Sequence, residues 1–565
     1  MTSSEVSTAP SEMVWHYEPT YIGPTWRHRD GGYGPNPCDD SCTEFDFPER
    51  TLGYQIVAWC KNYLLGDDGK PWKFTPEQFR FILWWYALDH RGRFIYRTGV
   101  LQRLKGWGKD PLAAVLCLIE FVGPCRFKAW DPSVPGGAVG KPHPRSWVQV
   151  AAVSRDQTVN TMSLFPGLMS QRLIEEYGIK AGNELIRAHM GRCRLEAVTS
   201  SFRSLEGKRA TFVILNETHH WVVGNGGPKM YETVDGNSTK MGTRYLAITN
   251  AYLPGEDSVA ERMRDAYERI VEGRAADVKF LYDSIEADPR TPLTPEALEV
   301  VIPKIRGDAT WLDIEDIILS IQNTTISVAR SRRMWLNQIV ADADALYGPE
   351  HFKAIEKPDA TLHVGDEIVL GFDGGRYEDS TALVAIRIKD RVTFLLGLWE
   401  RPLTWDEKTR GRWQAPAEAI DSLVHATFRA YKVKAFFADV NLWESYITDW
   451  TNLYGPGLFV KATQNAAIAQ DMRQSLASTT KMHERLMSSI REKKIFYDGD
   501  PALRRHAMNA RRAENPYGTY FRAESHDTIR KVDAYAAWVL AHEALHRYLT
   551  APKPEKKKTG LHVFL

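Results

Sequence analysis

Residues 92–123, GRFIYRTGVLQRLKGWGKDPLAAVLCLIEFVG, restrict the possible folds of this chain more than any other stretch. An apolar strand-like run enters a glycine loop, and the loop leads directly into an apolar helix-like run. At its centre is GWGKD, with Gly106, Gly108 and Lys109. Glycines let backbone N–H groups wrap a chain of phosphates, the lysine reaches the outer phosphates, and the helix N-terminus adds a favourable dipole. The residue after the lysine is ordinarily Ser or Thr; here it is Asp110.

The chain has 565 residues, too many for one ordinary domain. Hydrophobic residues make up 43%, enough for sizeable cores. Basic and acidic residues balance at 72 against 71, so contact with nucleic acid needs a local basic patch rather than a global field. Cys38, Cys42, Cys60, Cys117, Cys125 and Cys193 are scattered and read as reduced thiols, not as a disulfide frame. Cys38 and Cys42 are close in sequence, but no CxxC or histidine pair completes a metal site. No signal peptide and no apolar run of membrane length is visible, so no membrane partner is expected.

Residues 1–70 read as an irregular, Gly/Pro-rich arm followed by a helix at 51–65. Thr75 and Pro76 mark the start of a second helix. Beyond the glycine loop, strands are expected at 146–154, 193–200, 211–221 and 244–252, with one helix over 155–178. This alternation predicts a mostly parallel sheet over 71–254, with active residues at strand C-termini. Residues 255–360 read as a helical subdomain and linker. From 361 to 550 a second pattern appears: strand, hairpin, helix at 415–431, strand ending at Asp439, helices over 461–492, and a long helix at 527–549. That is the order of a ribonuclease-H-like α/β domain. Residues 551–565 form a basic tail.

The strand TFVILNETHHW ends in Asn216 and Glu217. Glu217 is placed to polarise a water for attack on the γ-phosphate of ATP. The position before it usually holds an aspartate on the Mg²⁺ side, but here it holds Asn216. With Asp110 replacing a hydroxyl and Asn216 replacing a carboxylate, one carboxylate has moved across the Mg²⁺ rather than been lost. N-capping of the helix by Asp110, with Pro111 following, accounts for that residue equally simply. Gln78, early in the helix before the loop, either reads an adenine edge or is a surface residue. Lys105 or Arg103 is positioned as a cis charge finger, or simply ends a strand. Thr249 and Asn250, at the end of YLAITN, either sense the γ-phosphate or simply end a strand.

Asp373, Asp439 and Asp533 fall at strand ends or a helix start in the second domain. Three carboxylates brought together repel and need cations. Two Mg²⁺ or Mn²⁺ ions held this way would serve phosphodiester cleavage, with Asp379 and Asp527 as alternative ligands. Arg504, Arg505, Arg511, Arg512 and Lys531 either track a phosphate backbone or form an exposed charged face.

Together FTPEQFRFIL, RLKGWGKDP, VQVAAVSRDQT, FVILNETHHW, YLAITNA, IVLGFDGGRYEDSTAL, FFAD, DPALRRHAMNA and KVDAYAAWVLAHEA resemble the large subunit of tailed-phage terminases over roughly residues 70–550. The resemblance implies a P-loop NTPase domain followed by a ribonuclease-H-like nuclease domain. It implies an ATPase that translocates double-stranded DNA into a procapsid and an endonuclease that cuts concatemeric DNA. Gly106, Gly108, Lys109 and Asp110 would hold ATP and its Mg²⁺. Glu217 would be catalytic, Thr249 and Asn250 would couple hydrolysis to motion, and Asp373, Asp439 and Asp533 would hold two nuclease ions. The resemblance also implies a portal protein and a small terminase subunit as partners. It implies a pentameric ring in the host cytoplasm, docked transiently on the procapsid and absent from the mature virion. The competing readings are an ATP-dependent helicase-nuclease or transposition-type protein, and a DNA scaffold whose altered loop binds nucleotide without turnover.

Overall fold

The computed structural model describes residues 18–35, 44–199, 209–341, 344–375, 380–402, 405, 411–473, 475–523 and 530–552. The chain divides into two compact units, Met1–Leu253 with Ser258–Val340, and Pro254–Asp257 with Ala341–Leu565.

The first unit is built on a sheet of β1 (Thr20–Ile22), β2 (Thr98–Gln102), β5 (Trp147–Ala151), β6 (Leu185–Ala188), β7 (Cys193–Val198), β8 (Phe212–Asn216), β9 (Arg244–Thr249) and β10 (Phe280–Glu286). A small separate hairpin pairs β3 (Arg126–Trp130) with β4 (Ala138–Lys141). The sheet order is β1-β10-β2-β9-β8-β5-β7-β6. From β10 to β7 every pairing is parallel, and antiparallel β1 and β6 close the two edges. Helices α1 (Gly53–Tyr63), α2 (Pro76–Trp85) and α3 (Lys109–Val122) follow their expected places. From Leu112 to Val122 α3 is completely buried, because it packs against strands that are themselves apolar on both faces.

The first unit departs from the sequence reading in several places. The arm expected to be irregular supplies β1, and its Trp26 lies in the core. The helix expected over 155–178 is three short helices, Arg155–Met162, Phe165–Leu168 and Gln171–Tyr177, restarted at Ser154 and Ser170 caps around Pro166. Residues 255–340 are not purely helical: β10 lies there and pairs in parallel with β2. Its helices Pro295–Arg306 and Ile314–Gln322 send Leu298, Val301, Ile302, Ile305 and Ile317 into the same core as α3.

β10 hides from a hydrophobicity reading because it buries Asp283, Ser284 and Glu286. A buried carboxylate needs a partner, and Asp283 has Arg103. Arg103 is fully buried; its Nε donates to Glu77 Oε1 at 2.7 Å and its Nη2 to Asp283 Oδ1 at 2.5 Å. Its remaining Nη1 donates to the carbonyls of Gln102 and Asp283, both at 2.9 Å. Burial works to lower the guanidinium pKa, but the two carboxylates outweigh it and hold the group charged.

In the second unit β11 (Glu367–Gly374) is flanked by antiparallel β12 (Thr381–Arg387) and parallel β14 (Lys432–Ala438); β13 (Val392–Trp399) and short β15 (Phe496–Tyr497) extend the sheet. The order β14-β11-β12-β13-β15 is that expected of a ribonuclease-H-like sheet. The C-terminal helix Asp533–Thr550 lies directly on β11. At Gly371 an added Cβ would stand 2.0 Å from the Ala537 carbonyl, so only glycine allows this approach. Helix in the 461–492 region is confined to Leu476–Arg491, and an unexpected hairpin, β16 (Arg511–Asn515) and β17 (Gly518–Arg522), turns at Pro516 and Tyr517. Cys38, Cys42, Asp379, Asp527 and the basic tail lie outside the described residues. No helix among the described residues is long and apolar enough to cross a membrane.

Replacing Arg103 by Met leaves Glu77 and Asp283 buried without their cation. The expected cost is about 3–5 kcal/mol, read as a lower urea midpoint for the first unit. Asp283→Asn on the same background should recover part of it.

Candidate nucleotide and nuclease sites

The glycine loop joins the C-terminal end of β2 to α3. Gly106 and Gly108 take φ of 81° and 93°, the left-handed region that glycine enters without strain. Gly108 is the N-cap of α3, without any side-chain cap, and Lys109 is its first residue. Asp110 therefore lies inside the first turn and is not the cap. Lys109 Nζ donates to the carbonyls of Arg103 at 3.1 Å and Leu104 at 2.9 Å. Burial lowers its pKa to about 8, against the pull of Asp110 and Glu217.

Parallel pairing of β2 with β9 and of β9 with β8 brings Asn216 and Glu217 to the same end of the sheet as the loop. Asp110 responds electrostatically to both. Desolvation raises its carboxyl pKa, Lys109 opposes that, Glu217 adds to the rise, and a hydrogen bond with Asn216 opposes it. The Asn216 amide also donates to Thr161 Oγ1 at 3.0 Å. Glu217 holds φ 54° and ψ 53°, an unfavourable backbone for a residue with a Cβ. Gln157 Nε2 donates to its Oε2 at 2.7 Å, which fixes the carboxylate.

Two residues beyond Glu217, buried His219 ties this turn to the end of β9. Its backbone N–H donates to Thr249 Oγ1 at 3.1 Å, and the Asn250 N–H donates to its Nδ1 at 3.4 Å. Burial, reinforced by His220 and Lys109, drives the imidazole pKa well below its ordinary value, so the ring is neutral. Thr249 and Asn250 thus reach the Glu217 turn through His219. Neither Gln157 nor His219 stood out in the sequence: each lies within a recognised stretch, SRDQT or NETHHW, but nothing local marks its role.

The other expected residues separate. Gln78 is buried in a capping box: its Oε1 accepts from the Thr75 N–H at 3.2 Å, and its own N–H donates to Thr75 Oγ1 at 3.2 Å. Its acceptor is thus committed to starting α2. Arg103 is locked in its ion pairs, whereas Lys105 is exposed, with its backbone N–H bonded to the Met334 carbonyl at 2.8 Å.

In the second unit, Asp373 is near the end of β11, and Asp439, just after β14, donates its N–H to the Phe372 carbonyl at 3.0 Å. Desolvation raises the Asp439 carboxyl pKa although the Met472 N–H donates to it at 3.1 Å. Asp533 opens the C-terminal helix. The next residue, Ala534, donates its N–H to His506 Nδ1 at 3.1 Å, and His506 Nε2 lies 3.2 Å from Glu400, just past β13. Since Gly374, Thr381 and Trp399 pair in succession, Asp533 stands at the same end of the sheet as Asp373. Among the described residues no three His, Cys, Asp or Glu side chains stand close enough to form a ready metal site. Of the basic residues expected to track DNA, Arg505 bonds Glu400 at 2.5 Å and Arg511 is buried.

A sheet of parallel strands carrying a glycine loop, a lysine and a strand-end glutamate defines an α/β unit of P-loop type, followed by a ribonuclease-H-like α/β unit. The chain is 38% identical to the gene 13 protein of mycobacteriophage L5 over 95% of its length and 96% of that protein, and 38% identical to the gene 13 protein of mycobacteriophage D29 over 96% and 97%. It belongs to the family of these gene 13 proteins. No family model matches the chain. Among solved structures, the HK97 bacteriophage large terminase matches 87% of this chain and 99% of its own, at 16% identity and a TM-score of 0.47.

The backbone at Glu217 has a measurable consequence. Glu217→Gly should be more stable than Glu217→Ala by about 1 kcal/mol, since only the alanine retains the left-handed strain. Urea unfolding of the two variants compares them directly.

Proposed function

We propose that this chain is the large subunit of a tailed-phage terminase. It uses ATP hydrolysis to drive double-stranded DNA into a procapsid, and its second unit cuts concatemeric DNA. The observation that carries this reading is the meeting of Lys109, Asp110, Asn216 and Glu217 at one end of the parallel strands.

In this reading the N–H groups of the loop and the Lys109 ammonium bind the β- and γ-phosphates. On ATP binding, Lys109 exchanges its two carbonyl partners for phosphate oxygens. Glu217, held by Gln157, orients and deprotonates the attacking water. Asp110 and Asn216 suit a Mg²⁺ carried with ATP: a hard carboxylate oxygen on one side and a carbonyl oxygen on the other. His219 links loss of the γ-phosphate to Thr249 and Asn250, and Lys105 is the exposed cation left to act as a charge finger.

In the second unit Asp373, Asp439 and Asp533 lie toward one sheet end without forming a ready metal cluster; drawn together around Mg²⁺ or Mn²⁺, they would supply hard oxygen donors. Two such ions would activate water and stabilise the leaving oxygen of a phosphodiester. The expected partners are the portal protein and a small terminase subunit. The working form is a pentameric ring docked transiently on the procapsid in the host cytoplasm.

Asp373→Ala should abolish cleavage of plasmid DNA in the presence of Mn²⁺ while ATP turnover persists; surviving cleavage would remove the nuclease assignment. Asp110→Ser and Asn216→Asp should each lower kcat for ATP by roughly 100-fold, and the double variant should regain at least a tenth of the wild-type rate. Two dead single variants with an equally dead double variant would show that the carboxylate was not relocated.

A further inference from the structure

Trp311 is the most exposed tryptophan among the described residues, at 55%, yet it is fixed in place. Its indole Nε1 donates to the Gly106 carbonyl at 3.0 Å. The edge of the same ring lies against Gly108, where an added Cβ would stand 3.2 Å from Cζ2. Leu312, the next residue, covers Gly106 in the same way, at 2.8 Å from a built Cβ. What sets this aromatic face apart is its place: it borders the glycine loop and is hydrogen-bonded to it.

The segment that carries it is anchored at its other end. Asp308 Oδ2 accepts the Glu77 N–H at 2.6 Å, in the first turn of α2. Residues 308–311 therefore bridge the start of α2 and the rim of the glycine loop. This bridge borders the loop that would hold the phosphates of a nucleotide, within reach of its sugar and base. The residue best suited by sequence to read a base edge there, Gln78, has its acceptor oxygen engaged with Thr75.

We propose that Trp311 is a nucleotide-binding residue that stacks on the purine base of the bound triphosphate, so that the base is held through its face rather than chiefly through its edge. This rests on the nucleotide-binding reading of the loop. An aromatic platform accepts any base, because every base has a π-face; stacking of this kind is worth about 1–3 kcal/mol per base. Its anchoring to Gly106 means that the platform is already in position before the ligand arrives, which reduces the ordering cost of binding.

The test measures steady-state hydrolysis of ATP and GTP, with tripolyphosphate as a competitive inhibitor that has no base. Trp311→Ala should raise KM about tenfold for ATP and by a similar factor for GTP. Inhibition by tripolyphosphate should remain within about twofold of wild type. Trp311→Phe, which keeps the aromatic face and loses the indole N–H, should stay within about threefold of wild type. If Trp311→Phe is as impaired as Trp311→Ala and tripolyphosphate inhibition weakens with it, the indole positions the loop and the stacking role is wrong. An unchanged KM in Trp311→Ala also overturns it. A wild-type chain that binds neither ATP nor tripolyphosphate fails at the earlier step, the nucleotide site itself.

Discussion

The first unit depends on one buried cation. Arg103 follows β2 and holds Glu77 at the start of α2 and Asp283 inside β10, with no access to water. Trp26 adds to this knot: its Nε1 donates to Asp283 at 3.2 Å, and its ring lies 5.4 Å from the guanidinium. The ring of Trp107, inside the glycine loop, lies 5.2 Å from the same guanidinium. A buried charge triad of this kind adds little net stability compared with an apolar core, but it penalises any arrangement that separates its members. It therefore fixes which strand lies beside β2 and where α2 begins. Both determine the floor on which the loop rests.

The site built on that floor is economical in charge. Glu217 pushes the Asp110 carboxyl pKa up, Lys109 pulls it down, and Asn216 contributes a hydrogen bond without charge. Placing a second carboxylate at 216 while Asp110 remained would put three acids around one lysine. The turn after Glu217 carries the cost of a left-handed residue, and the hydrogen bonds of His219 to Thr249 and Asn250 tie the turn to the end of β9.

Much of this was legible in the sequence, for identifiable reasons. The glycine loop and the strand ending at Glu217 are local patterns whose chemistry lies in contiguous residues. Asp439 was legible because an apolar strand ends on it. β10 was not, because FLYDSIE looks amphiphilic until Arg103, far away in sequence, neutralises Asp283. The sequence leaves Gln78 open to a base edge, and only the fold shows its oxygen accepting from the Thr75 N–H. Gln157, His219 and Trp311 acquire their positions only through the fold: their partners are Glu217, Thr249 and Gly106, from other elements. The helix over 155–178 was overextended because periodicity alone does not weigh the break at Pro166.

The three residues of β1 do more than extend a sheet. By pairing with β10 from Thr20 to Ile22, they cap a run of parallel strands that would otherwise end in a row of open amide and carbonyl groups. An uncovered margin of that kind is a template to which a foreign strand can add. The short N-terminal ribbon thus acts as a selvedge along the β10 margin of the first unit's sheet.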